Sequence, residues 1–232
     1  MVLIPSPPRP ISNRTFLPKD GGDDGDVAVD LFLLGRDLSV GMCTLKSGIW
    51  GVCTKISMEL PEPEPTTIGD MLLPVNSKIY MATDAGFILV LDLVAASFSV
   101  LQLPDRVKTE NFRLSCGEAS GLFLIHADGY QLSVWHHETD GNGTCDWTLV
   151  YDAVCVHEAC NRHEDVLVMG ANGNAEFVLL ALEASGVLIC MQLSRTEKIL
   201  YHEMDLRHVR GSCIVPFMMV WPPIFLTINQ EE

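Results

Sequence analysis

One hairpin design occurs three times in this chain, hinged each time on an acid that a glycine follows within three residues. The copies are Lys78-Ile79-Tyr80-Met81-Ala82-Thr83-Asp84-Ala85-Gly86-Phe87-Ile88-Leu89-Val90-Leu91, then 122–135 around Asp128-Gly129, then 177–191 around Glu183-Ala184-Ser185-Gly186. The three glycines lie 43 and 57 residues apart. Apolar runs of strand length joined by Gly, Asp and Asn predict β-hairpins rather than helices. A unit of roughly 40–50 residues holding several strands is the period of small antiparallel sheets repeated around an axis. A fainter fourth copy runs from Val29 to Leu34, turns through Gly35-Arg36-Asp37, and returns from Ser39 to Leu45.

Each unit adds a strand after a polar turn: Ile49 to Met58, Phe98 to Leu103, Trp147 to Tyr151, and Lys198 to Met204. The expected fold class is therefore all-β, a β-propeller-like array of antiparallel three- to four-stranded blades, partial or open. Four units stand at the bottom of the usual range of blade numbers. If some 400 Å² of apolar surface between blades stayed wet, the lost burial would be on the order of 10 kcal/mol, as much as a whole domain's stability. The segments between units vary. Glu59-Leu60-Pro61-Glu62-Pro63-Glu64-Pro65 carries prolines that no sheet interior accepts, and 152–165 is the one place where a short helix is expected.

Residues 1–26 hold five prolines and the cluster Asp20-Gly21-Gly22-Asp23-Asp24-Gly25-Asp26 without periodicity, which predicts a disordered arm. The folded domain is expected over 27–228. The start of the chain has neither the basic region nor the apolar run of a secretory signal. The longest apolar stretch, Ile214 to Ile228, is too short to span a membrane and is broken by Pro216, Pro222 and Pro223. A cytoplasmic and/or nuclear location is expected. Eight cysteines lie mostly in apolar, strand-like segments, where they read as reduced, buried thiols and disulfides are not expected. Thirty acids against fifteen Lys and Arg, a net charge of −15, argue against nucleic acid and against an anionic membrane as partners.

The strongest metal candidate is the run Cys155-Val156-His157-Glu158-Ala159-Cys160-Asn161-Arg162-His163. Cys155, His157, Cys160 and His163 are the right residue types, but a structural zinc site takes a second pair of ligands from a separate segment. The preferred expectation is a variable loop between blades, with no metal and no cofactor. His136 and His137 are neighbours on one strand and should point to opposite faces. Met169-Gly170-Ala171-Asn172-Gly173-Asn174-Ala175 lacks the Lys-Ser/Thr of a phosphate loop and reads as an Asn-Gly turn. The turn acids Asp84, Asp128 and Glu183 are candidates for a glycosidase-like carboxylate pair. Their repetition favours turn formation, each acid hydrogen-bonding its own turn before a glycine of positive φ. No catalytic residue is assigned.

Three segments carry a family resemblance. Ser77-Lys78-Ile79-Tyr80-Met81 with Ile88-Leu89-Val90-Leu91-Asp92-Leu93, Asn174-Ala175-Glu176-Phe177-Val178 with Leu182-Glu183-Ala184-Ser185-Gly186, and Val215-Pro216-Phe217-Met218-Met219-Val220-Trp221-Pro222-Pro223-Ile224-Phe225 resemble the propeller-type associated domain of grass F-box proteins. Cys43-Thr44-Leu45-Lys46-Ser47-Gly48-Ile49-Trp50-Gly51 is similar to a hairpin that these proteins carry further upstream. The resemblance implies a non-catalytic protein-interaction module, the substrate-recognition domain of an F-box subunit of a cullin-based ubiquitin ligase. Client proteins are the implied partners. A Skp-type adaptor is a partner only through an F-box upstream, since 1–26 lacks the amphipathic helices of that motif. Two other readings stay open: a propeller-fold carbohydrate-active enzyme, and a truncated product without ligase function.

Overall fold

The computed structural model describes residues 14–17, 26–34, 36–46, 49–51, 53–72, 76–107, 111–117, 121–138, 146–194 and 197–203. The Val215–Phe225 segment with its Trp-Pro-Pro run lies outside them. Seventeen strands and one short helix form four antiparallel sheets among the described residues. The first sheet holds β1 (Arg14–Leu17), β2 (Asp26–Leu34), β3 (Asp37–Lys46), β4 (Ile49–Trp50) and β5 (Thr54–Glu59). The second runs β6 (Ile68–Met71), β7 (Lys78–Thr83), β8 (Phe87–Asp92), β9 (Ser97–Gln102). In the third the order is β10 (Phe112–Gly117), β11 (Gly121–Asp128), β12 (Gln131–His137), β13 (Trp147–Cys155). Helix α1 (Val156–Cys160) leads to the fourth, β14 (Val166–Ala171), β15 (Phe177–Leu182), β16 (Val187–Gln192), β17 (Glu197–Glu203).

The hairpins read from sequence are the central strands of each sheet. β7 pairs β8 from Lys78↔Asp92 to Ala82↔Ile88, β11 pairs β12 from Leu122↔His137 to Asp128↔Gln131, and β15 pairs β16 from Phe177↔Gln192 to Ala181↔Leu188. The hinge glycines take the left-handed conformation expected of them, with φ of 86° at Gly86, 61° at Gly129 and 72° at Gly186. Each sheet has a strand ahead of the hairpin beyond the three recognised in every unit, namely β1, β6, β10 and β14, and in the first sheet the segment read as one strand from Ile49 to Met58 divides into β4 and β5. β10 reaches its partner through a short connection, with register to Gly117↔Gly121, and β14 likewise, with register to Ala171↔Val178. Three sheets are four-stranded, within the expected range of three to four, and the first has five strands.

Two expectations need correction. Arg14–Leu17 pairs with β2 from Arg14↔Asp30 to Leu17↔Val27, inside the arm read as disordered. That segment is the proline-free interval between Pro10 and Pro18, long enough for one edge strand. Cys43 and Cys53 form a disulfide where none was expected. The reason is register: β3 and β5 pair as far as Met42↔Thr54, so the next rung sets Cys43 opposite Cys53.

Two compact units divide the chain, residues 1–110 and 111–232, each with two sheets on one core. In the first, Val29, Leu38, Val40 and Met42 meet Ile79, Met81, Phe87, Leu89 and Leu91, with Leu60 closing one end. In the second, Phe123, Ile125, Ala127, Leu132 and Val134 meet Val178, Leu180, Leu182, Val187, Ile189 and Met191. Alternate residues of each strand supply these faces, as a period of two requires. Each fully buried aliphatic or aromatic side chain contributes about 1.5–3 kcal/mol. The intervening residues Ile88, Leu122, Leu124 and Val90 are buried as well, which is why the central strands read as unbroken apolar runs. Outer strands alternate instead: along β9 and β5 every second side chain is exposed over most of the strand.

Candidate functional site

The two units repeat one set of backbone hydrogen bonds where the chain passes from sheet to sheet. In the first, the Leu60 N–H donates to the Arg36 carbonyl in the β2–β3 turn, and the Asp84 N–H donates to the Thr67 carbonyl. In the second, the Val156 N–H donates to the Tyr130 carbonyl in the β11–β12 turn, and the Glu183 N–H donates to the Asp165 carbonyl. Leu60 and Val156 are both buried, each plugging the end of its core. Each connection is thus laid across the hairpin turns of the two sheets it joins. One end of each unit becomes a surface made of turns and one connecting segment.

In the first unit that surface is tied up by its own side chains. Arg36 donates through Nε to the Leu60 carbonyl at 3.1 Å and lies 3.2 Å from both Glu59 and Glu62. The Asp84 carboxylate accepts from the Thr66 and Thr67 N–H groups at 3.0 and 3.2 Å and from the Thr66 hydroxyl. The Thr66 hydroxyl, with those N–H groups, holds the Asp84 pKa below its ordinary value of 3.8. So Asp84 binds the incoming connection rather than its own turn. The acid that caps its own turn is Asp92, whose Oδ1 accepts from the Val94 and Ala95 N–H groups at 2.9 and 2.7 Å.

The second unit's turn surface differs. Its connection contains α1, which ends at Asn161 in the left-handed conformation, φ 55°. There the His157 and His163 rings stack with centroids 3.4 Å apart, and the exposed Tyr130 meets His163 edge-on at 6.2 Å. Asp165 reaches over Gly129, its Oδ1 3.6 Å from where a Cβ would stand. Glu164 accepts from the Ser185 N–H at 2.7 Å and lies 3.6 Å from Arg162. In the β15–β16 turn the Ser185 N–H is served by Glu164 from the neighbouring connection.

The four metal candidates come to this same surface without forming a ligand set. Face-to-face stacking brings the two rings together through their π surfaces, while a shared ion needs converging nitrogen lone pairs. The Cys160 thiol donates to the Val156 carbonyl at 3.2 Å. Cys155 precedes the helix and makes no side-chain cap. Among the described residues no group of three or more His, Cys, Asp or Glu side chains is arranged to hold a metal. His136 and His137 part company as adjacent strand residues do: His136 stacks on Phe123 at 4.5 Å, and His137 meets Trp147 edge-on at 5.2 Å.

The sheets of the second unit are stitched by polar side chains that sequence reasoning did not single out. Asn111 donates through Nδ2 to the Val166 carbonyl at 2.5 Å and accepts from the Val168 N–H at 3.1 Å. Ser115 donates to the Asn172 carbonyl at 2.6 Å. The 172–176 turn expected from Asn-Gly is held by Asn172, whose Oδ1 accepts the Phe177 N–H at 2.8 Å, and by Asn174, which accepts the Glu176 N–H at 3.2 Å. An asparagine just before a strand was the available signal for Asn111, and it is a faint one.

Four-stranded antiparallel blades of this kind define a β-propeller domain, a class of protein-interaction module. The chain belongs to the family described as F-box protein AT5G49610-like, beta-propeller, whose model matches residues 1–225. Among curated proteins no significant match is found. Of solved structures, a putative 6-phosphogluconolactonase from Bacteroides fragilis is 13% identical, with a TM-score of 0.44 over 82% of this chain and 56% of that one. Kluyveromyces lactis Hsv2 is 11% identical, with a TM-score of 0.36 over 82% of this chain and 64% of its own. A prolyl endopeptidase is 13% identical, with a TM-score of 0.40 over 82% of this chain and 27% of its own. The chain spans less than two thirds of the length of each.

Proposed function

We propose that this domain is the substrate-receptor part of an F-box subunit of a cullin-based ubiquitin ligase, that it captures client proteins, and that it catalyses nothing itself. The observation that carries this reading is the family match over residues 1–225 to a propeller domain of F-box proteins. The geometry supports it. Asp84, one of the repeated acids, is spent on structure by bonding Thr66 and Thr67, and the turn surface of the second unit offers Tyr130, His163 and carboxylates as recognition groups. In this reading an F-box ahead of the propeller makes the link to a Skp-type adaptor, and the protein works in the cytoplasm or nucleus.

The test is to fuse the chain to a Skp-type adaptor in plant cells and follow the proteins that cross-link to it. They should fall in abundance on induction, and the fall should vanish under proteasome inhibition. Cross-linked proteins whose levels ignore the fusion would overturn the receptor reading. Glycosidase turnover of aryl glycosides by the purified chain would overturn the non-catalytic part.

A further inference from the structure

We propose that the turn surface of the second unit recognises an unstructured, arginine-bearing segment of a client, one guanidinium stacking on the face of Tyr130, beside His163 and inside a rim of carboxylates. The inference rests on the receptor reading and names the chemistry of its site. Tyr130 is 42% exposed, the only large aromatic side chain so open among the described residues. It sits at the tip of a turn whose backbone is fixed on both sides, since the Tyr130 carbonyl accepts from Val156 and the Gly129 carbonyl from Val166. His163 stands against its edge and is itself backed by His157. An aromatic ring held at a turn tip and braced edge-on by a second ring can take a planar cation on its face with little ordering cost.

Charge selects the same occupant. The β11–β12 turn, the Val156–Asp165 connection and the β15–β16 turn carry Asp128, Glu158, Glu164, Asp165 and Glu183 against Arg162 alone. That is five to one, where the whole chain has two to one. The corresponding surface of the first unit is a built-in comparison. It is acidic too, and as Glu164 is engaged by Ser185 and Arg162 in the second unit, Glu59, Glu62 and Asp84 are engaged in the first; the difference is that no aromatic side chain is exposed there among the described residues. Acid alone attracts any cation, whereas acid around an open aromatic ring prefers the flat, weakly hydrated guanidinium to an ammonium.

The probe is a fluorescein-labelled peptide of about 12 residues alternating Arg with Gly and Ser, with Lys and Glu versions beside it, read by anisotropy on the full chain at about 50 and about 300 mM NaCl. The Arg peptide should bind about five-fold more tightly than the Lys peptide, and the Glu peptide should not bind. Tyr130→Ala and Asp165→Asn should each weaken the Arg peptide about five-fold, Tyr130→Phe should keep it, and Glu62→Gln in the first unit should change nothing. Circular dichroism of each variant separates lost contact from lost fold. Equal binding of the Arg and Lys peptides, indifference to Tyr130→Ala, or no binding by the wild type would each overturn the proposal. If the adaptor fusion depletes clients that saturating Arg peptide does not displace, this inference fails while the receptor reading stands. If the peptide binds as described and no client is depleted, the reverse holds.

Discussion

Asp84 shows how a side chain's role follows from which strand end lies beside it. Its position before Gly86 suggested a turn cap, yet the carboxylate is drawn to the Thr66 and Thr67 N–H groups of the arriving connection. Because folding lowers its pKa, the stability it adds is complete above the ordinary value of 3.8 and fades as pH falls below it. Asp84→Asn should therefore cost about 0.5–1 kcal/mol at neutral pH, and urea titrations of wild type and variant should converge in acid. Gly121 is the residue with least freedom. Its φ is +79°, and a Cβ there would stand 2.8 Å from both the His137 carbonyl oxygen and His136 Nε2. The backbone carbonyl cannot step aside as a side chain can. Gly121→Ala should destabilise by about 2–4 kcal/mol, visible as a lower urea midpoint at unchanged slope. Burial pushes the Cys116 pKa up to about 12, so that thiol should resist alkylation at neutral pH until the chain unfolds.

Among the elements, the central hairpins were legible and the strands ahead of them were not. β7–β8, β11–β12 and β15–β16 announce themselves because their two strands are adjacent in sequence, apolar on both faces, and joined by a glycine turn. β10 and β14 also lie a short connection from their partners, but Arg113 and Ser115 interrupt the apolar run of β10, and β14 has a register shift between Val168 and Gly170. They gain their place from Asn111 and Ser115, which bond to the backbone of β14 and of Asn172 more than fifty residues away. Asn111→Ala leaves the Val166 carbonyl and the Val168 N–H without their partner and should cost about 2–3 kcal/mol. Hydrogen exchange should speed up first at the Val168 amide. The disulfide belongs to this scale as well, since it is the next rung of the β3–β5 ladder and closes a loop with a sequence separation of 10. Reducing it should lower the stability of the first unit by about 2–3 kcal/mol, measured by urea unfolding with and without dithiothreitol, because the open chain regains that loop's freedom. The metal candidates failed as a set for an element-scale reason: one short helix and its left-handed cap bring His157 and His163 together face to face while Cys160 turns back to Val156.

For the whole molecule, a net charge of −15 on 232 residues opposes compaction. Raising salt from about 10 to about 150 mM should raise the melting temperature by a few degrees as this repulsion is screened, while the same change should weaken the proposed arginine contact. The opposite signs make the two effects separable on one sample. The all-β class, the number of repeated hairpins, the positive φ of their glycines and the family could be read from residue order alone, because period-two apolar runs and glycine turns are local signals. Which acid serves which turn, the cross-link between Cys43 and Cys53, the first strand of every sheet, and the meeting of Tyr130 with His163 were settled by tertiary structure. Each depends on the register between separate segments, and that register is set by the pairing and packing of whole sheets.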